Sequence, residues 1–154
     1  MSTEEKQNSP TYQDSNLVEY PRNEKEVSSF IKKFYKSNIP IELISSGSKR
    51  KIGKPLQCAK TLNLSKISGI VEYLPEELYI KVKAGTSIKQ IEEKLKKNNQ
   101  QLAFEPIDFG HLLNGKSDYG TAAGQVACNI SGPRRFKSGG VRDHVLGFRG
   151  VNGK

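Results

Sequence analysis

The sequence predicts an α+β domain in which helices flank a small mixed β-sheet. Two segments have the apolar spacing of amphipathic helices, several short apolar segments have the length of strands, and loops rich in glycine separate them. At 154 residues the chain is long enough for one domain with its own core. No segment approaches the roughly 18 consecutive apolar residues of a membrane span.

The first helix is predicted to begin after Asn23, a residue type that caps helix N-termini, and to end near Ser37. Its apolar residues recur at helical spacing and are Val27, Phe30, Ile31 and Phe34. Residues 41–44, an apolar run after Pro40, are predicted to form a strand that leads into a glycine loop.

A short strand over residues 61–64 is followed by a predicted hairpin, with arms at 70–74 and 78–83 and a turn at 75–77. In the second arm Leu78, Ile80 and Val82 alternate with polar residues or tyrosine, which predicts one buried face. A second helix is predicted after Ser87, because Ser at the N-cap and Gln three residues later form a capping box. Its inner face would consist of Ile88, Ile91 and Leu95.

The rest of the chain is predicted to be mostly loop. Residues 105–119 read as a loop, 121–128 as a short helix whose N-terminus faces a ligand, and 145–151 as a final strand. Residues 1–16 are polar without an apolar period, so we expect a disordered lead rather than a signal peptide, with the domain at 17–154.

Residues 45–49, termed the first loop, have a composition that suits an anion. The loop consists of Ser45, Ser46, Gly47, Ser48 and Lys49. Glycine permits an unusual backbone angle, serines supply hydroxyls, and lysine can pair with a phosphate oxygen. An ordinary strand-to-loop turn would have the same composition. The loop matches neither the Walker pattern nor the Gly-x-Gly-x-x-Gly pattern.

Residues 120–129, termed the second loop, and residues 131–135, termed the basic turn, repeat this chemistry. Small residues allow a backbone to approach a ligand closely, and arginines supply charge. The candidate binding residues are Gly120, Thr121, Ala122, Ala123, Gly124, Asn129, Ser131, Gly132, Arg134 and Arg135. A small-residue helix that packs on the sheet is the alternative, and both can hold together. Two such regions in one domain indicate a cofactor with phosphate groups.

The net charge of +9 is concentrated in two stretches. Residues 45–60 contain five Lys or Arg and no acid, and residues 129–154 contain six against one acid. This predicts an anionic partner, which could be cofactor phosphates, an acidic substrate, nucleic acid or another subunit. The basic stretches lack the interleaved aromatic residues that stack on bases, so nucleic acid is not expected.

Catalytic and metal-binding residues are not identifiable from the sequence. His111 and His144 have no metal-ligand spacing to another ligand, and Cys58 and Cys128 lie 70 positions apart and are expected to be reduced thiols. No nucleophile and base can be paired, and no metal site is expected.

Several short sequence motifs, in their order along the chain, resemble those of the FAD-binding subunits of glycolate oxidase. Those subunits belong to the vanillyl-alcohol oxidase / p-cresol methylhydroxylase (PCMH) type of flavoprotein. The most specific are Ser-Gly-Pro-Arg-Arg at 131–135 and Val-Arg-Asp-His-Val-Leu-Gly at 141–147. Phe-Glu-Pro at 104–106 and Ala-Gly-Thr at 84–86 also match. The resemblance extends from about residue 18 to the end.

The resemblance implies that both loops hold the pyrophosphate of FAD, and that the basic turn with Arg142 and Asp143 follows the rest of the dinucleotide. Some relatives attach flavin through a histidine in the first loop, which this chain lacks, so FAD is expected to be non-covalent. The chain would then be the N-terminal, pyrophosphate-binding part of a PCMH-type domain, incomplete at its C-terminus.

The implied reaction is oxidation of a 2-hydroxy acid to a 2-oxo acid. The implied partners are a second flavoprotein subunit and an iron–sulfur subunit, in the cytoplasm at the inner face of the cytoplasmic membrane. Three alternatives remain open: a related enzyme with another substrate, such as a lactone or an amino-sugar nucleotide; a basic nucleic-acid-binding domain without enzymatic activity; and an inert truncation product.

Overall fold

The computed structural model describes residues 17–54, 56–117 and 119–153, so the predicted lead at 1–16 lies outside the described residues. The described strands are β1 Val18–Glu19, β2 Ile41–Ile44, β3 Lys60–Asn63, β4 Ile70–Leu74 and β5 Tyr79–Val82. The described helices are α1 Glu24–Lys36, α2 Ile88–Lys96, α3 Gly110–Asn114, α4 Ala122–Cys128 and α5 Arg135–Ser138. Short 3₁₀ turns occupy Leu64–Lys66 and Val141–His144. The predicted α+β class is confirmed.

The first sheet has three strands in the order β1-β3-β2, and both neighbouring pairs are parallel. Its central strand contributes Leu62, which is fully buried, while Ile44 at the end of β2 lies opposite Asn63 at the end of β3. Because parallel strands end at the same edge of a sheet, the segments that follow β2 and β3 emerge together. The first loop therefore begins at the carboxyl edge of this sheet.

The second sheet is the antiparallel hairpin of β4 and β5, and α2 packs against it. The predicted inner face of α2 is confirmed, since Ile88, Ile91 and Leu95 are buried and contact Ile80 and Val82. Parallel and antiparallel pairing thus occur in separate sheets. Leu78 was expected on the buried face, but it belongs to the turn, has φ of 53° and is 81 % exposed.

Both long helices begin where their capping residues predict. The side chain of Asn23 accepts a hydrogen bond from the backbone of Glu26 at 3.0 Å, and that of Ser87 accepts one from Gln90 at 3.1 Å. Each cap satisfies a backbone N–H group that the helix itself cannot pair. In the described ranges, no helix combines the length and the apolar character that crossing a bilayer requires.

The predicted strand over residues 145–151 is wrong. This segment pairs with no strand among the described residues, and its apolar side chains Leu146 and Phe148 are exposed. It runs back towards α1 instead, where Arg149 pairs with Glu24 at 2.8 Å. A strand needs backbone hydrogen bonds to the edge of a sheet, and an apolar pattern in the sequence does not supply that edge. Here a side-chain contact with a helix takes the place of strand pairing. The short elements β1, α3 and α5 were not predicted.

Candidate functional site

The first loop presents backbone N–H groups that the rest of the described chain does not use. Gly47 has φ of 71°, in the left-handed region that favours glycine. The N–H groups of residues 46–49 have no hydrogen-bond partner among the described residues, whereas Gly47 O accepts from Arg50 N at 3.0 Å. Successive free N–H groups around a left-handed residue form a concavity that suits an anion.

An ion pair between a buried carboxylate and an exposed arginine fixes the end of the first loop to the sheet. Arg50 donates two hydrogen bonds to the carboxylate of Glu42 in β2, at 2.9 and 2.7 Å, and Thr61 in β3 donates a third at 3.3 Å. The Glu42 side chain is only 7 % exposed. Bidentate geometry makes this pair directional as well as strong, so the loop leaves β2 in a defined direction. The sequence analysis counted Arg50 within the basic stretch 45–60 and missed its partner Glu42, which lies eight residues earlier in the chain.

The two loops meet at Ser48 and Gly120. A Cβ atom at Gly120 would lie 2.5 Å from Ser48 Oγ and 3.3 Å from Lys49 Nζ, and Gly120 has φ of 80°. Both the space and the backbone angle therefore require glycine at this position. Ser48 is buried at this contact, with 6 % of its surface exposed. The loops, 70 residues apart in sequence, thus form one continuous surface.

The short helix predicted over 121–128 is present as α4, but two of its first N–H groups are already used. Ala122 N donates to Thr86 O at 2.9 Å, and Ala123 N donates to Ala84 O at 3.1 Å. Since these donors bind the segment before α2, they cannot also bind an anion. The structure therefore corrects the expectation that the start of this helix offers these amides to a ligand. The small residues of α4 also allow it to pack closely against the segment before α2.

Side chains of the second loop and the basic turn brace the segment that follows α5. Asn129 Oδ1 accepts from Arg142 N at 3.2 Å, and Ser131 Oγ accepts from Val141 N at 3.0 Å. Asp143 Oδ2 accepts from Gly140 N at 2.7 Å. The three polar side chains that the sequence singled out here hold backbone in place.

Glu105 clamps the basic turn, and sequence reasoning did not propose a role for it. Its backbone oxygen accepts from Gly132 N at 2.9 Å, and its carboxylate accepts from Arg134 N at 3.0 Å. Its own φ is 52°, which is uncommon for a residue with a side chain. The Phe-Glu-Pro motif at 104–106 could have drawn attention to Glu105, because a proline restricts the backbone of the residue before it.

The remaining predicted residues lie at or near this surface with different exposure. Thr121 is buried, Ala122, Ala123 and Gly124 are half-buried, and Ser46, Arg134, Arg135 and Arg142 are exposed. Arg142 Nε lies 3.6 Å from Asp143 Oδ1. The structure thus brings the first loop against Gly120 and the basic turn against residues 139–143.

One buried polar atom in the first loop is available to a ligand. Ser45 Oγ is buried and has no hydrogen-bond partner in the described part of the chain. Buried polar atoms are nearly always paired, so an unpaired hydroxyl beside the unbonded N–H groups of the first loop fits a bound acceptor. Gln125 Oε1 in α4 is a second such atom, although Gln125 Nε2 donates to Tyr119 O at 2.6 Å.

The titratable groups of the described residues do not form a catalytic constellation. His144 Nε2 lies 2.6 Å from Ser138 O and its ring lies 6.1 Å from Phe104, while His111 lies 4.0 Å from Asp108. No metal-binding group of three or more ligands occurs within the described ranges. Burial raises the pKa of the Glu92 carboxyl, which lines a cleft of about 430 Å³ with Ser87, Lys89, Ser117, Tyr119 and Gly120.

The fold and the two joined loops define a class of protein, an α+β domain whose loop surface is suited to an anionic cofactor. Comparison with known proteins specifies the family. Residues 15–154 match the family described as FAD binding domain, and the chain belongs to this family. Its cofactor is FAD.

A relative and two solved structures support the assignment. The chain is 40 % identical over 114 residues to glycolate oxidase subunit GlcE of Escherichia coli (strain K12), covering 74 % of this chain and 30 % of that protein. Two structures of alkyldihydroxyacetonephosphate synthase match at 20 % identity, with TM-scores of 0.65 and 0.69, covering 84 % and 88 % of this chain. They confirm the PCMH-type fold. The chain spans 30 % of the length of GlcE and about a quarter of each synthase chain.

Proposed function

We propose that the first loop, the second loop and the basic turn bind the diphosphate of FAD, as part of a flavin-dependent oxidoreductase. The contact of Ser48 and Lys49 with Gly120 carries this proposal, because it joins two regions of suitable composition into one surface. The residues proposed to form this surface are Ser45, Ser46, Gly47, Ser48, Lys49, Gly120, Thr121, Ala122, Ala123, Gly124, Asn129, Ser131, Gly132, Arg134, Arg135, Arg142 and Asp143. Ala122 and Ala123 contribute only small side chains that allow close approach, because their N–H groups are already bonded.

The first loop contributes the backbone donors and Lys49 contributes a positive charge. The unbonded N–H groups of residues 46–49 supply the positive ends of peptide dipoles to an anion, and Ser45 Oγ adds a hydroxyl donor. Hydrogen bonds to a charged group are stronger than neutral ones. Gly120 acts by its lack of a side chain, since any side chain would enter the space of Ser48.

The exposed arginines contribute charge on the other side of the surface. Arg134 and Arg135 follow Gly132 and Pro133, and Arg142 lies within the 3₁₀ turn that Asn129 and Ser131 brace. Guanidinium groups bind phosphate oxygens in pairs, so one arginine can orient a phosphate as well as neutralise it.

The bound FAD is non-covalent, since the first loop has no histidine. When bound, FAD supplies the capacity to accept a hydride equivalent from an alcohol carbon. The reaction is the oxidation of a 2-hydroxy acid to a 2-oxo acid, proposed from the similarity to GlcE. No described residue is assigned the role of the acid or base.

The assembly we propose includes a second flavoprotein subunit and an iron–sulfur subunit. It is located in the cytoplasm, held peripherally at the inner face of the cytoplasmic membrane by those partners. Residues 17–154 form the portion that binds the FAD pyrophosphate.

FAD binding is tested by titration of the purified protein with FAD, followed by acid precipitation. The reaction is tested by anaerobic addition of glycolate to the FAD-loaded assembly proposed above, because no acid or base is assigned within this chain. We expect quenching of flavin fluorescence on binding, release of free flavin into the acid supernatant, and bleaching of the flavin absorbance by glycolate. Flavin that stays with the precipitate would contradict the non-covalent assignment. Binding without bleaching by glycolate, but with bleaching by another alcohol substrate, would favour a related enzyme. A folded protein that does not bind FAD but binds DNA with a steep salt dependence would refute the proposal.

A further inference from the structure

We propose that Glu105 is a positioning residue that holds the basic turn in its FAD-binding conformation, an inference that rests on the proposed function. Glu105 contacts this turn through its backbone and its side chain at once. Its oxygen accepts from Gly132 N at 2.9 Å and its carboxylate accepts from Arg134 N at 3.0 Å. These are the backbone groups on both sides of Pro133, which itself has no N–H group.

The carboxylate also fills the space where a side chain at Gly132 would stand. A Cβ atom at Gly132 would overlap the Glu105 carboxylate, and Gly132 does not have a left-handed φ. Glycine is therefore required at this position for space and not for backbone angle. A larger residue at position 132 could be accommodated if the carboxylate moved, but Arg134 N would then lose its acceptor.

The backbone of Glu105 is held in an uncommon conformation, with φ of 52°. Such conformations persist where the surrounding structure determines them, and they occur often at ligand-binding sites. Here the neighbours are Phe104, whose ring lies 6.1 Å from that of His144, and Pro106. The segment 104–106 thus contacts both the basic turn and the 3₁₀ turn that bears Arg142.

The clamp matters for binding because the side chains of Arg134 and Arg135 are exposed and form no ion pair with an acidic side chain in the described chain. Their guanidinium groups are long and free to rotate, so their direction depends on the backbone that carries them. A carboxylate that accepts a backbone N–H group fixes that backbone without placing a negative charge against the guanidinium of Arg134.

The experiment compares Glu105→Ala, Glu105→Gln, Gly132→Ala and the double variant Glu105→Ala/Gly132→Ala. FAD affinity is measured by fluorescence quenching, and amide hydrogen exchange at residues 132–135 is measured without FAD. We expect Glu105→Ala to weaken FAD binding about tenfold or more and to speed exchange at Arg134, because a charge-assisted hydrogen bond is lost. Glu105→Gln keeps an acceptor oxygen and should stay within about threefold of the unaltered protein.

Gly132→Ala should weaken FAD binding about as much as Glu105→Ala does, because the added methyl group displaces the Glu105 carboxylate. In the double variant the Gly132→Ala change should add little further loss, because that carboxylate is already absent. Additive losses would overturn the proposal, as would unaltered FAD affinity in a folded Glu105→Ala protein. Glu93→Ala, an exposed carboxylate in α2, is the matched control and should change neither readout.

The two readouts separate this proposal from the proposed function. If the unaltered protein does not bind FAD, the proposed function fails and the binding part of this proposal fails with it. If FAD binds but Arg134 exchange is the same with and without the Glu105 carboxylate, the clamp alone is refuted. Should Glu105→Ala not fold, Gly132→Ala tests the same hydrogen bond from the other side.

Discussion

The first loop and the second loop have similar compositions but use their backbones differently. In the first loop the N–H groups of residues 46–49 have no partner in the described chain, and the loop is fixed from its end by the Glu42–Arg50 pair. In the second loop Ala122 and Ala123 donate to the segment before α2. Loops of similar composition therefore differ in which backbone donors they leave unbonded, because only the second loop packs its first amides against another segment.

The largest expected effect comes from the point where the two loops touch. Gly120→Ala should lower the free energy of unfolding by about 2–3 kcal/mol, since it adds a left-handed non-glycine residue and a contact with Ser48. FAD affinity should fall about thirtyfold or more, because the loops must separate. Denaturant unfolding and FAD titration measure the two effects.

Gly53→Ala is the matched control for this variant. Gly53 has φ of 84°, close to that of Gly120, but a Cβ atom there would meet nothing within 4 Å. Gly53→Ala should therefore cost about 1 kcal/mol and leave FAD affinity unchanged. Equal losses in both variants would mean that backbone strain, and not the contact between loops, explains the Gly120 effect.

The next effect concerns how the first loop is fixed. Arg50→Ala leaves the Glu42 carboxylate buried with one remaining hydroxyl donor, so the free energy of unfolding should fall by about 1–3 kcal/mol. Arg149→Ala removes the ion pair with Glu24, in which both side chains are largely exposed, and should cost less than about 1 kcal/mol. Thermal unfolding of the two variants side by side measures the difference, and equal costs would show that the Glu42 pair does not fix the loop.

Charge in the first loop should have a smaller effect on FAD binding than the contact does. Lys49→Gln should weaken FAD binding about five- to tenfold and reduce its dependence on salt, because one charged contact with phosphate is lost. Lys54→Gln removes the same charge from an exposed position in the same basic stretch and should change affinity little. FAD titrations of both variants at two ionic strengths test this, and identical losses would indicate a general charge effect.

The smallest effect is a pH dependence outside both loops. Burial raises the pKa of the Glu92 carboxyl in the folded chain, so the folded state holds this proton more tightly than the unfolded state. Stability therefore falls as the pH rises through the interval between the two pKa values. Glu92→Gln should remove this slight fall, while Glu93→Gln should not. Denaturant midpoints measured across that interval for the two variants test the sign.

The sequence was sufficient for those parts of the fold that depend on local patterns. The caps at Asn23 and Ser87 and the apolar face of α2 follow from spacing within a few residues, and the structure confirms them. The strand expected at 145–151 failed because pairing depends on a free edge elsewhere in the molecule. For the same reason Leu78 was placed on the wrong side, since the exact length of a turn decides which residue begins the strand.

The candidate site could likewise be predicted from the sequence only in part. Composition singled out both loops and the basic turn, and the structure brings the first loop against Gly120, while their role in FAD binding stays a prediction. It could not identify the Glu42–Arg50 pair or Glu105, because their partners are set by the meeting of distant segments. It also could not tell which N–H groups remain free, which depends on the carbonyl groups of Ala84 and Thr86.

Amide hydrogen exchange with and without FAD tests the central claim most directly. We predict that FAD slows exchange strongly at residues 46–49, whose N–H groups are free in the described chain, and changes Ala122 and Ala123 little, because their N–H groups are already bonded. Slowed exchange confined to α4, with no change at residues 46–49, would contradict the account.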